Sequence, residues 1–261
     1  TYDRVSDIQL RWALEQLERL PLRGDEIVLD AGCGSGRVTA LLADRVQPDD
    51  PGAAQQGEAG RRAGRRPGGG VYGVDVAPSM AEHAAAALGD RATILCQDLV
   101  ALDLPEPVDV AFSNATFHWI PDHDALFASL AGVMRPGARL MAQCGGRGNI
   151  DTFRNLADEV AGEQPFAPYF ADWKRPWNYA GDDETAERLK QAGFTNIECW
   201  LEPRPVTPAE PRAFVQTVCL VRHLDPLPDE LRGPFIDRVL ARSGEPLVLE
   251  YVRLNMTATA G

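Results

Sequence analysis

The residues best placed to do chemistry begin with Asp30, which ends the apolar run Ile27-Val28-Leu29 and is followed by glycines at alternate positions, Gly32, Gly34 and Gly36. Val38, Leu41 and Leu42 then recur at helical spacing. The segment reads as a strand, a tight turn and a helix. Glycines let the chain turn sharply and let a ligand lie against bare main chain, where a helix N-terminus offers unpaired N–H groups. Dinucleotide folds also use such a turn. Here the pattern is G-x-G-x-G, and the Asp30 charge at the strand end suits a cation better than a pyrophosphate.

The uninterrupted run Asp30-Ala31-Gly32-Cys33-Gly34-Ser35-Gly36 resembles the first motif of the class I S-adenosylmethionine (SAM)-dependent methyltransferases. A second strand, Val71 to Asp75, ends in another acid, and a carboxylate there can accept both hydroxyls of a ribose; a simple cap is the alternative. By resemblance Asp75 is the ribose ligand, with Val76 beside it and Met80 near the adenine. Ala92 to Leu95 reads as the third strand. The acid that follows it, Asp98, takes the adenine amino group by match of position, next to Leu99, with a simple turn Asp as the alternative. Cys33 and Asn114 complete the expected SAM set, and no metal is expected.

A fourth strand, Val108 to Ser113, runs into Asn114-Ala115-Thr116-Phe117-His118-Trp119. Ligands of open parallel sheets bind beyond the carboxyl ends of the strands, so this segment faces the reacting centre. The run from Phe112 to His123 is similar to the trans-aconitate methyltransferase-like group, which methylate small organic acids. Methyl transfer from a sulfonium requires alignment of donor and acceptor and exclusion of water. A base is needed only if the acceptor carries a proton. A carboxylate carries none, but burying it unpaired costs several kcal/mol, so cations are expected around it. Arg147, Arg222 and His223 are candidates. His118 could act as base, as donor to a carboxylate, or as a structural group. Trp119, Trp173, Trp177 and Tyr179 could form a water-excluding lid or ordinary core, and Tyr2 and Trp12 could line the site from an N-terminal helix.

These residues need a scaffold. The reading is one α/β methyltransferase domain over residues 1–261, a seven-stranded Rossmann-like sheet with helices on both faces. An N-terminal helix over 1–20 carries a Ser6–Gln9 capping box and Leu10, Leu14 and Leu17 on one face. Residues 47–70, rich in Gly, Pro, Ala and Arg, read as a flexible insertion; its cluster Arg61, Arg62, Arg65 and Arg66 is a solvated stretch or a phosphate site. Cap segments are expected over 145–182 and 203–245. The helix after Asp124 should stop at Arg135-Pro136-Gly137 before a fifth strand, Arg139 to Gln143, whose following glycines either admit a substrate or simply turn. Strand six is read over Ile197 to Leu201, and Thr207-Pro208-Ala209-Glu210 as a helix start, with Phe214, Val218 and Val221 on one face. A further helix from Asp229 and a last strand, Glu250 to Thr257, follow.

Composition narrows the function. With 38 acidic against 26 basic residues the net charge is −12, which argues against a nucleic-acid partner. The five cysteines lack metal or disulfide spacing. No apolar run spans a membrane and no signal peptide is visible, so a cytoplasmic enzyme is expected. The chain starts at Thr1 rather than Met, so some N-terminal sequence is expected to be missing. The leading function is SAM-dependent O-methylation of a small carboxylate, with S-adenosylhomocysteine (SAH) as coproduct. The alternatives are O-, N- or C-methylation of an aromatic or apolar metabolite, and a non-catalytic SAM- or SAH-binding partner protein. Oligomeric state is not legible.

Overall fold

The computed structural model describes residues 7–46 and 69–261. Tyr2, Ser6 and the arginine cluster at 61–66 lie outside them, as does all of the expected insertion except its end; Gly70 opens a strand.

One sheet holds β1 (Ile27–Ala31), β2 (Gly70–Asp75), β3 (Thr93–Cys96), β4 (Val108–Asn114), β5 (Met134–Gly145), β6 (Phe194–Pro203) and β7 (Val252–Ala260). Their order is β3-β2-β1-β4-β5-β7-β6. The first five run parallel. β7 is inserted antiparallel between β5 and β6. Successive residues of the inner strands face opposite sides, as strand geometry dictates. Ile27, Leu29 and Ala31 enter one core with Leu126, Phe127 and Leu130 of α4 (His123–Val133). Val28, Val110 and Phe112 enter the other with Leu17 of α1 (Asp7–Arg19) and Leu42 of α2 (Arg37–Arg45). The chain winds outward through β1, β2 and β3, then returns to β4 on the other side of β1. The gap between β1 and β4 at their carboxyl ends is the switch point where ligands of such sheets bind.

α3 (Pro78–Leu88) follows β2, with Pro78 in its first turn and Gly89 at its end, as read. A third core lies above the sheet ends. There α5 (Asp151–Ala161) and a later helix over Asp229–Arg242 bring Phe153, Val160, Phe235 and Val239 together with Trp12 of α1. α6 (Asp182–Gln191) precedes β6.

Several boundaries differ from the sequence reading. α4 stops at Val133 and β5 starts at Met134, because Pro136 drives the residue before it out of helical conformation. The buried face of α1 is Trp12, Ala13, Gln16 and Leu17, while Leu14 is exposed. After β6 the helix start falls at Pro211, not Thr207: α7 (Pro211–Phe214) places its proline in the first turn, where no N–H is needed. A π-turn over Val215–Cys219 follows, with Leu220 N–H bonded to Val215 C=O at 2.8 Å. This extra residue breaks the expected face. Phe214 goes inward, whereas Val218, the buried Cys219 and Val221 of α8 (Val221–Leu224) line a cavity. The helix from Asp229 is α9.

Candidate active site

A cavity of about 780 Å³ opens at the β1–β4 switch point. Its floor is the glycine turn. Gly32 and Cys33 N–H groups both bond Val74 C=O, at 2.8 and 2.9 Å, tying the turn to β2. A Cβ on Gly32 would lie 2.2 Å from Thr116, so its bareness lets the β1 and β4 turns close together. At Gly34 (φ +53) nothing lies within 4 Å of such a Cβ, and the main chain there faces the cavity. Gly36, expected beside the cofactor, is absent from the cavity wall: it packs on Ala84 and Leu88 of α3, where any Cβ would crowd them.

The acids stand where the strand ends put them. Asp75 accepts Gly34 N–H through Oδ2 and Ala77 N–H through Oδ1, each at 2.9 Å. Each oxygen keeps a lone-pair direction for a further donor. Asp98 accepts Val100 N–H at 3.1 Å and is otherwise exposed. Asp30 is buried and accepts Thr39 Oγ1–H at 2.6 Å. Burial raises its pKa to about 7, against the Thr39 hydrogen bond and with help from the Asp75 charge. No cation pairs with it among the described residues. Cys33 is held as a neutral thiol, pushed up chiefly by burial. Val76, Met80, Leu99 and Asn114 also line the cavity. Asn114 is fixed by α1, donating to Gln9 C=O at 3.1 Å and accepting from Gln16 at 3.2 Å. A bare backbone floor, a half-satisfied Asp75 and a buried unpaired Asp30 fit a cationic nucleoside such as SAM.

The other end of the cavity is built from side chains. His118 follows β4 in a short 3-10 turn and is buried. Gly145 N–H donates to its Nδ1 at 3.2 Å. The ring proton must therefore sit on Nε2. Burial, then the charges of Arg253 and His123, hold the imidazole pKa well below the usual range. His118 is a neutral donor at physiological pH. Tyr179 stacks on it, centroids 5.5 Å apart, and Trp177 lies parallel to Tyr179 at 6.3 Å. A Cβ on Gly145 would come within 2.4 Å of the Tyr179 ring. That resolves the question of the β5 glycines: at Gly145 the close approach is made by Tyr179, and Gly148 (φ +86) serves a turn.

Arg253 stands opposite Gly145 in the β5–β7 register, fully buried and lining the cavity. Its Nε donates to Gln143 Oε1 at 3.2 Å, and its guanidinium lies 4.7 Å from the Trp12 ring centroid. Gln143 in turn donates to Asn255 at 2.7 Å, and Asn255 to Glu202 at 3.3 Å, a ladder across three strands. Arg253 Nη2 has no hydrogen-bond partner among the described residues, and no carboxylate there pairs with the group.

Of the residues read from sequence, Trp119, Trp177, Tyr179, His118 and Arg222 share this wall. Others are placed elsewhere. His223 is fully buried behind it, bonded to Asp158 at 2.8 Å and ringed by Phe170, Trp173 and Phe235. Trp173 lines a separate, smaller cavity. Arg147 points outward to Glu184 at 3.2 Å. Trp12 is core, edge-on to Tyr251, and reaches the site only by backing Arg253. Sequence reasoning missed Arg253, Asn149 and Tyr251. The available signal was a charged residue inside a strand whose neighbours Leu254 and Met256 are core.

Among the described residues no group of three or more His, Cys, Asp or Glu could hold a metal ion, and no helix is long and apolar enough to cross a membrane. A family model described as a methyltransferase domain matches residues 29–142. The trans-aconitate 2-methyltransferase of Methylobacterium radiotolerans is 30% identical over 241 residues, covering 90% of this chain and 84% of that protein. The Methylobacterium nodulans enzyme of the same name is 30% identical over 258 residues, covering 94% and 87%. Among solved structures, phosphoethanolamine N-methyltransferase 2 of Haemonchus contortus, in complex with SAM, superposes with a TM-score of 0.55 at 19% identity over 96% of this chain and 52% of that one.

Proposed function

Since this chain belongs to the class I SAM-dependent methyltransferases, in the family of the trans-aconitate 2-methyltransferases, we propose that it methylates the carboxylate of a small organic acid, giving a methyl ester and SAH. The observation that carries the acceptor class is Arg253, a buried guanidinium in the cavity wall with an unpaired Nη2. An isolated buried cation is costly by several kcal/mol, and an anionic acceptor offsets that cost through charge-assisted hydrogen bonds.

At the other end, Asp75 receives the ribose hydroxyls and Asp98 the adenine amino group. Val76, Met80 and Leu99 flank the base, the backbone of Gly32 to Gly34 lies under the nucleoside, and Asp30 and Asn114 face its amino-acid arm. When bound, SAM supplies a methyl carbon made electrophilic by its sulfonium. The protein holds the acceptor carboxylate against that carbon with Arg253 and the Nε2–H of His118, while Trp119, Trp177 and Tyr179 exclude water; positioning of this kind is worth several kcal/mol. His118 serves as donor, because its Nδ1 is already occupied as an acceptor. The same occupancy weighs against the alternative of an aromatic alcohol or amine acceptor, which needs a base. A sulfonium leaves without a Lewis acid, so this reading calls on no metal. Five free thiols support a reducing, cytoplasmic setting.

The test is transfer from methyl-labelled SAM to small acids and their matched amides and alcohols. A methyl ester releases its label as methanol in mild base. Label that stays base-stable in every product rules the carboxylate reading out.

A further inference from the structure

Resting on that carboxylate reading, we infer that the acceptor is an amphipathic monocarboxylate: a single acid group on a flat, aromatic arm. The charge inventory of the acceptor wall carries the inference. Three arginines among the described residues line the cavity, and Arg37, first residue of α2 after the glycine turn, stands at the nucleoside end, which leaves Arg253 and Arg222 to the acceptor wall. Arg222 is committed: it pairs with Asp225 at 3.2 Å and lies 5.3 Å from the Trp119 ring centroid, half-exposed at the rim. Behind the wall, Arg154 is paired with Asp151 at 2.6 Å and faces the Tyr179 ring at 4.5 Å. Among the described residues of the acceptor wall, Arg253 is the guanidinium with no carboxylate partner and a buried N–H group left open. A second or third carboxylate on the acceptor would be buried without a partner, at several kcal/mol each. Carboxylates of the protein oppose it too, for Asp30, Asp75, Asp98 and Asp122 all line the cavity.

The rest of the wall asks for apolar surface. Trp119 is 37% exposed and Val221 39%, high values for large apolar side chains, and both face the cavity. The Trp119 and Trp177 rings touch, 6.0 Å apart at 48°, and continue through Tyr179 and His118 as one aromatic wall of the cavity. An acid group on Arg253 sends an aromatic arm along that wall, where ring contacts are favourable. In the transfer, a carboxylate oxygen forms the O–CH3 bond as the C–S bond breaks and its electron pair stays on sulfur. One negative and one positive charge cancel, and no proton moves.

The experiment compares benzoate, phenylacetate and cinnamate with trans-aconitate, by kcat/KM with SAM and by calorimetric binding to SAH-loaded protein. At least one aryl acid is expected to exceed trans-aconitate tenfold in kcat/KM. Trp119→Ala is expected to lower that value tenfold or more while SAH affinity stays within threefold. Preference for trans-aconitate, or failure of all three aryl acids to bind at millimolar concentration, overturns the monocarboxylate inference and leaves the carboxylate reading standing. Methylation of cinnamyl alcohol or cinnamylamine with no acid methylated overturns both.

Discussion

The two ends of the cavity are built by different means. The proposed nucleoside end is made of consecutive backbone positions and acids at the ends of adjacent parallel strands, residues 30, 32 to 35, 75 and 98. The proposed acceptor end is made of side chains at positions 118, 119, 177, 179 and 253, drawn from the turn after β4, the segment before α6 and the antiparallel β7. A turn that must bare its main chain has few sequence solutions. A buried cation can be presented from any strand that passes. The first kind of site is therefore written locally, and the second only in three dimensions.

Substitution at Arg253 divides the two ends most sharply. Removing one partner of a buried charged contact costs about 2–5 kcal/mol, so Arg253→Met should lower kcat/KM for the acid by about 10²-fold or more. SAH affinity should stay within threefold by calorimetry, and a parallel loss of SAH binding would mean that the ends are not separable. In the opposite sense, Asp75→Ala should weaken SAM about tenfold, roughly 1.4 kcal/mol, with the KM for the acid little changed at saturating SAM. An unaltered SAM affinity would remove Asp75 from the nucleoside site.

Proton linkage gives a third cut. Asp30, with its pKa raised to about 7 by burial, meets a cationic ligand best when ionised. Above pH 7 SAM affinity should be flat; below it, binding must expel a proton and affinity should fall towards tenfold per pH unit. The ligand-free fold carries the reverse sign: this group contributes stability near pH 4 that is lost as pH rises through 7. Calorimetry in buffers of different ionisation enthalpy reads the released proton directly, and its absence at pH 6 would show that Asp30 does not face the ligand. The smallest effect is expected at His118. His118→Gln keeps a donor near Nε2, so kcat/KM should drop only several-fold. The wild-type profile should show no limb from this histidine above pH 6.5, because its pKa is lowered. A near-complete loss in the Gln variant together with such a limb would make His118 a base after all.

The same contrast explains what was legible beforehand. The sheet, the glycine turn and the strand-end positions of Asp75 and Asp98 were readable because strand–turn–helix signals and their acids are contiguous. Gly36 was misassigned because alternating glycines look alike in sequence, although one meets a helix and another open space. His223 and Arg147 are candidates by charge and by their places in the cap helix and at the end of strand five, but Asp158 and Glu184 already engage them. Arg253 escaped because its role depends on the antiparallel register that sets it against Gly145. The π-turn at Val215–Cys219 was invisible too: one extra residue per turn leaves no mark in composition, yet it decides which valines meet the cavity.

The place of β7 also bears on how the protein is made. β6 pairs only with β7, and β7 follows every other strand in the chain. During synthesis the parallel strands, the glycine turn and the aromatic wall are all made while β6 has no neighbour and Arg253 is still to come. A chain is made from its N-terminus and a domain folds as a unit, so the residues proposed to hold the nucleoside wait for the last strand, which brings the arginine proposed to select what receives the methyl group.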